Sequence, residues 1–244
     1  MATTTLTHTT VLRKREQIAE GTMAFHFDKP EGFEFRPGQA LDWTLINPPE
    51  TDAEGDIRTF SIVSAPFEPD LIIATRMRDT AFKRVLRSVP LGTQVKIDGP
   101  SGSFTLHKNS AKPAVFLAGG IGITPFRSII SQAAHDRLAH QLYLFYSNRR
   151  PEDAAFLGDL EEFTKQNSNF HLIATMTEME KSSRPWSGET GFITPGMLTK
   201  HIPNLQGPIY YIAGPPAMVA GMRQILTQAA VDEDDIRTEE FAGY

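Results

Sequence analysis

Cysteine is absent from all 244 residues. Disulfides, cysteine-ligated iron–sulfur clusters and thiol nucleophiles are therefore excluded. The seven histidines (His8, His26, His107, His135, His140, His171, His201) show no HxH or HxxxH spacing, so no metal site is expected. Positive charge is also short: 24 Lys and Arg stand against 29 Asp and Glu, for a net charge of −5. Residues 1–107 carry 12 basic and 14 acidic groups, and residues 108–244 carry 12 and 15. Neither half is basic, so no nucleic-acid partner is expected. No apolar run approaches the roughly 18 residues that span a bilayer. The polar, Thr-rich start MATTTLTHTT has no basic stretch followed by an apolar one, so a secretory signal is not expected and a cytoplasmic protein is.

The apolar patterning changes part-way along the chain. Up to about residue 107, short alternating runs are bounded by turn residues: 11–30, 35–46, 58–66, 71–77 and 93–100. These read as strands, with one helix at 81–89 whose stripe is Phe82, Val85, Leu86 and Val89. After KNSAKP (108–113), continuous apolar runs alternate with helical periods: strands at 114–120, 141–148, 170–177 and 208–216, helices at 126–136, 152–166, 193–202 and 217–229, and a closing strand. The expectation is two domains, 1–107 and 108–244. The first is a small antiparallel six-stranded β-barrel; the second is an α/β Rossmann-like parallel sheet with helices on both faces.

Glycine is concentrated where the first apolar run of the second half ends, in GGIGITP (119–125). A turn at the carboxyl end of a parallel strand is where such folds bind ligands. Gly120 and Gly122 lack the Cβ atoms that would obstruct a ligand approaching the backbone. Thr124 is expected as the helix N-cap and Pro125 at the first helical position, leaving free N–H groups that suit a pyrophosphate. The pattern is GxGxTP and not GxGxxG, and a turn serving packing alone is the other reading. A second turn of this kind follows the fourth strand, in YIAGPPAMV (211–219), where Gly214 precedes Pro215 and Pro216.

Arg58-Thr59-Phe60-Ser61 places a guanidinium fork, an aromatic plane and a small hydroxyl within four residues. That combination suits a flavin nucleotide. Alone it also describes a strand with an exposed Arg and a core Phe.

The ordered set RPGQ (36–39), RTFS (58–61), GPSGSFTL (99–106), GGIGITP (119–125), AGPPAM (213–218) and the ending EEFAGY (239–244) resembles the ferredoxin–NADP reductase superfamily over nearly the whole chain. The likeness is greatest to short two-domain bacterial members without fused haem or iron–sulfur domains. The resemblance implies an FAD-binding barrel and an NAD(P)-binding domain. Arg58 would hold the flavin phosphates, with Thr59 beside it. Phe60 would pack on the ring and the Ser61 hydroxyl would approach N5. Many relatives have Tyr at the position of Phe60. Ile73, Ala74 and Thr75 would line the ring edge. Thr80, Ala81 and Phe82 would offer N–H groups to the pyrophosphate, which favours FAD over FMN.

The nicotinamide nucleotide would meet Gly119, Gly120, Gly122, Thr124 and Pro125 on one side, and Gly214, Pro215, Pro216 and Met218 on the other. Ala213 stands where many relatives carry a cysteine. Ser147, Arg149 and Arg150 would supply a 2′-phosphate with partners, favouring NADPH over NADH. Tyr244 is the candidate for stacking on the flavin, with Phe241 as its competitor. Ser61, Tyr244 and Glu240 are the catalytic candidates, while Glu239 is expected in a solvated tail. Arg76, Lys83, Arg84 and Arg87 form a basic face that a carrier could use.

Three functions follow. One is an NAD(P)H reductase passing electrons through FAD to a separate acceptor: a ferredoxin, a flavodoxin or an oxygenase component. The second is a reductase of free flavin or ferric chelates. The third is a non-catalytic nucleotide-binding electron-transfer subunit. A monomer is expected.

Overall fold

A computed structural model describes residues 7–241. Two six-stranded sheets follow one another along the chain.

The first is antiparallel. It comprises β1 (Thr7–Ala19), β2 (Thr22–Asp28), β3 (Ala40–Leu45), β4 (Ile57–Ser61), β5 (Asp70–Arg76) and β6 (Gln94–Ser101), in the order β4-β3-β6-β1-β2-β5. The sheet curls until its edge strands approach, and the Val63 N–H donates to the Ile72 carbonyl at 2.8 Å just beyond β4. Alternation decides what faces inward. Phe25, Phe27, Leu41, Trp43, Leu71 and Ile73 fill the core of the curl. Helix α1 (Ala81–Ser88) closes it with Phe82, Val85 and Leu86, while Arg84 and Arg87 face solvent. The helix stops before Pro90, which disfavours a helical conformation at Val89.

The second sheet is wholly parallel. β7 (Ala114–Gly119), β8 (Leu142–Asn148), β9 (Phe170–Met176), β10 (Glu189–Thr190), β11 (Ile209–Gly214) and β12 (Ile236–Glu240) lie in the order β10-β9-β8-β7-β11-β12. Every residue of β7 and β11 is buried, as expected of strands covered on both faces. α2 (Ile123–His135) and α3 (Leu157–Gln166) cover one face, through a core that includes Phe116, Phe126, Leu144 and Leu160. α4 (Pro195–His201) and α5 (Pro216–Gln228) cover the other, over Val115, Phe145, Ile212 and Leu226.

Two expectations from sequence are corrected. The helix expected from 152 begins at Leu157, because Pro151–Asp153 forms a 3₁₀ turn and Phe156 adopts a left-handed conformation (φ 58°) that interrupts the run. Thr124 is not a helix cap. A 3₁₀ turn at Gly120–Gly122 runs directly into α2, which starts at Ile123, so Thr124 and Pro125 lie inside the first turn. The two-residue β10 had no sequence signal, being shorter than one alternation can reveal.

The two sheets are joined by specific contacts. Arg127 on α2 is 8% exposed and ion-pairs with Glu68 from the first sheet's side, and with Asp159 at 3.0 Å. The Ser128 hydroxyl donates to the Ser64 carbonyl at 2.7 Å. His107, Tyr211, His140 and Arg237 form a buried cluster behind the connecting segment. Among the described residues, no helix is long and apolar enough to cross a membrane.

Candidate active site

Where the sheets meet, a cleft of about 450 Å³ opens. One wall is the end of β4 with Phe60 and Ser61, and the end of β5 with Ala74 and Thr75. The other comes from Ile121 and Thr124 at the start of α2, and from Glu239, Glu240 and Phe241 at the end of β12. Arg58, Thr80 and Lys83 gather at one end. Four motifs far apart in sequence thus face one space.

The two glycine turns lean on each other. Gly214 lies 3.1 Å from the backbone of Gly119, measured from the position a Cβ would occupy. A Cβ on Gly119 would stand 2.3 Å from the Met218 sulfur, and one on Gly122 would stand 2.2 Å from the Ala213 carbonyl oxygen. Close packing of the two turns therefore requires glycine at 119 and 122, which corrects the expectation that Gly122 leaves room for a ligand. Gly120 differs: its φ is +54° and open space lies in front of it. Pro125 on α2, and Pro215 and Pro216 at the start of α5, flank this junction without lining the cleft. The Thr124 hydroxyl donates to the Ile121 carbonyl at 3.0 Å and fastens the turn.

Ile73 is fully buried in the core of the curled sheet, so its side chain does not line the cleft as Ala74 and Thr75 do. Phe60 and Phe82 lie with ring centroids 5.8 Å apart. Thr59 donates to Asp42. The expected solvated position of Glu239 is also corrected. Glu239 turns inward, its Oε2 is buried without a hydrogen-bond partner, and burial pushes its carboxyl up to about 7. Glu240, one residue on, is exposed while still edging the cleft. Strand alternation separates the two. Phe241 lies at the mouth, its N–H donating to the Gly214 carbonyl at 3.0 Å. Tyr244 lies outside the described residues.

The cationic end has one feature with no sequence forecast. Asp52, on the loop between β3 and β4, accepts from Arg58 Nη2 at 3.1 Å and from the Ala81 N–H at 3.0 Å. Glu54 Oε2 stands 2.9 Å from Arg58 Nη2. Lys83 is held below the ordinary lysine value, first by burial and then by the neighbouring Arg78 and Arg58.

Ser147, Arg149 and Arg150 sit together at the end of β8, outside this cleft. Arg150 pairs with Asp153 at 2.9 Å and Glu20 at 2.8 Å. Arg149 is half exposed, with one long contact of 3.8 Å to Asp153. On the basic face, Arg84 is engaged by Glu50 and Asp79. A larger groove of about 1020 Å³, between β1 and the start of α3, contains none of the residues singled out in the sequence.

Comparison with known proteins agrees with this geometry. Residues 116–224 match the model of the oxidoreductase NAD-binding domain. The glycine betaine monooxygenase reductase subunit of Chromohalobacter salexigens is 27% identical over 223 residues, covering 90% of this chain and 60% of that protein. The chain thus spans about three fifths of the length of this curated relative. Among solved structures, the Amycolatopsis cytochrome P450 reductase GcoB superposes with a TM-score of 0.82 at 20% identity, over 98% of this chain and 71% of that one. A ferredoxin–NADP⁺ reductase from Neisseria gonorrhoeae, with bound FAD and NADP, gives 0.78 at 20% identity, over 96% and 98%.

The chain has the two-sheet fold of these reductases, and residues 116–224 match the oxidoreductase NAD-binding domain.

The cleft lies between the curled sheet and the carboxyl ends of β7 and β12, the edge at which an open parallel sheet presents ligands.

Proposed function

We propose that this chain is an FAD-dependent NAD(P)H reductase that delivers electrons to a separate acceptor. Residues 1–107 would hold the flavin and residues 108–244 the nicotinamide nucleotide. The observation that carries this reading is the composition of the cleft's two walls. On one side are an aromatic ring (Phe60), two hydroxyls (Ser61, Thr75) and a cationic end with Arg58 and Lys83. On the other are Ile121 and Thr124 from the glycine turn after β7, with Glu239 and Phe241 at the end of β12. The donor set fits a flavin nucleotide: a plane for the ring, hydroxyls for its polar edge, and a guanidinium with an ammonium for phosphates. Bound flavin supplies hydride acceptance and stepwise electron release.

The chain's own residues provide position and charge. Ser61 is 8% exposed on a regular strand, so its hydroxyl is held where a ring would lie. Ile121 and Phe241 keep water from the junction. The Glu239 carboxyl, pushed up to about 7, can hold or release a proton near neutrality at Oε2. Arg149 is the cation available to a 2′-phosphate, since Arg150 is occupied by carboxylates.

The acceptor is proposed to be a redox carrier or an oxygenase component in the cytoplasm. The relative named as a monooxygenase reductase subunit supports that class. Reduction of free flavin or ferric chelates is the second reading, favoured by the occupied state of Arg58. The test is a steady-state assay with added FAD, comparing NADH and NADPH as donors and ferricyanide as acceptor. FAD-dependent oxidation of either nucleotide supports the reading. A folded protein with neither activity overturns it.

A further inference from the structure

The anion-binding corner of the cleft is filled by carboxylates of the chain itself. Arg58 is 17% exposed at its side chain, and its own loop satisfies it. Nη1 donates to the carbonyls of Glu54, Gly55 and Ile57 at 3.0, 3.1 and 2.7 Å. Nη2 meets Asp52 Oδ1 at 3.1 Å and Glu54 Oε2 at 2.9 Å. The second oxygen of Asp52 accepts the N–H of Ala81, the first residue of α1, at 3.0 Å. One carboxylate therefore bridges the guanidinium and a helix N-terminus, the two groups that would grip a phosphate. The first turn of α1 has no acidic residue of its own.

We propose that Asp52, assisted by Glu54, is a built-in competitor for the flavin phosphates, so that this cleft takes FAD as an exchangeable molecule and not as a permanent group. The inference rests on the flavin reading above and deepens it. Three further observations support it. Both carboxylates answer the same donors that a phosphate would use, so the two occupants exclude each other. The loop can leave: the Glu54 side chain is 71% exposed, and residues 47–56 contribute no side chain to any of the three hydrophobic cores. Cations are also held in reserve, because Arg76 and Lys83, which line the cleft, form no ion pair among the described residues. A phosphate arriving as Asp52 departs would find charge partners already in place.

The experiment uses the full chain stripped of flavin. FAD and riboflavin are titrated separately and followed by quenching of flavin fluorescence. Asp52→Asn keeps the side chain's shape and removes its charge. We expect it to tighten FAD by about tenfold, the value of one charge-assisted contact, and to leave riboflavin, which has no phosphate, unchanged. A merely structural role for Asp52 would weaken both ligands or neither. Unchanged or weaker FAD binding by a folded Asp52→Asn protein overturns the inference and leaves the proposed function intact. If that variant does not fold, Glu54→Gln at an exposed position decides the matter: tighter FAD supports the competitor, and unchanged FAD overturns it. If wild type and variants bind neither ligand, the inference and the proposed function fall together.

Discussion

The carbonyl oxygen of Ala213 stands 2.2 Å from where a Cβ on Gly122 would be. The glycine turn after β7 and the turn after β11 are thus one packed unit. Gly122→Ala should destabilise the protein by about 1–3 kcal/mol through backbone displacement. A thermal melt without nucleotide or flavin checks this. A wild-type melting temperature, with only nucleotide affinity lost, would contradict a packing role.

Glu239 makes stability depend on pH near neutrality. Its folded carboxyl lies at about 7, above the ordinary 4.5, because burial disfavours the charge. Below 4.5 it is protonated in both folded and unfolded chains and burial carries no charge cost. As pH rises through about 7 the folded chain bears a buried carboxylate, and stability falls. Glu239→Gln should therefore gain about 1–2 kcal/mol over wild type at about pH 8 and little at about pH 5. Denaturant melts at the two pH values measure it.

His107 acts in the opposite direction. Its Nδ1 lies 3.0 Å from the Tyr211 hydroxyl and its Nε2 lies 2.9 Å from the Lys112 carbonyl. The hydroxyl also receives the Arg237 guanidinium at 3.1 Å and the His107 N–H at 2.9 Å, so its proton is directed at Nδ1. Burial, then the nearby His140 and Arg237, hold His107 below its ordinary 6.5 despite the raising contact with Lys112. The folded chain keeps it neutral, so stability is lost as pH falls below about 6.5. His107→Asn should flatten that acid loss in thermal melts. An unchanged acid profile would show that another group carries it.

Under the proposed function, Arg58 would hold the flavin phosphates. Arg58→Ala should weaken FAD by about ten- to a hundredfold, the loss of a charge-assisted pair, with riboflavin little affected. Equilibrium fluorescence titration gives both values.

Much of the fold is legible in the residues. All-apolar β7 and β11 announce a covered parallel sheet, and the alternation of β2 and β5 announces a one-sided one. Local motifs also bring Arg58, Phe60, Ser61 and Thr124 to one cleft, because the first three lie together on the short strand β4 and Thr124 lies in the first turn of α2. What was not legible depends on distant pairing. The partner of Gly122 is Ala213, far along the chain, so its reason for lacking a Cβ cannot be read locally. Glu239 and Glu240 are identical in type, and only the register of β12 against β11 says which turns inward. Asp52 lies in a polar loop that resembles any other turn until α1 is placed beside it.

Under the proposed function, a flavin in the cleft between the two sheets would accept hydride from a nicotinamide nucleotide. The most direct measurement is anaerobic mixing of the FAD-saturated protein with NADH or NADPH, following the visible flavin absorbance. Bleaching faster than that of free FAD is expected under the same conditions, and an excess of a competing adenine nucleotide that carries no nicotinamide should suppress it. A folded protein that leaves the flavin spectrum unchanged with both donors would contradict it.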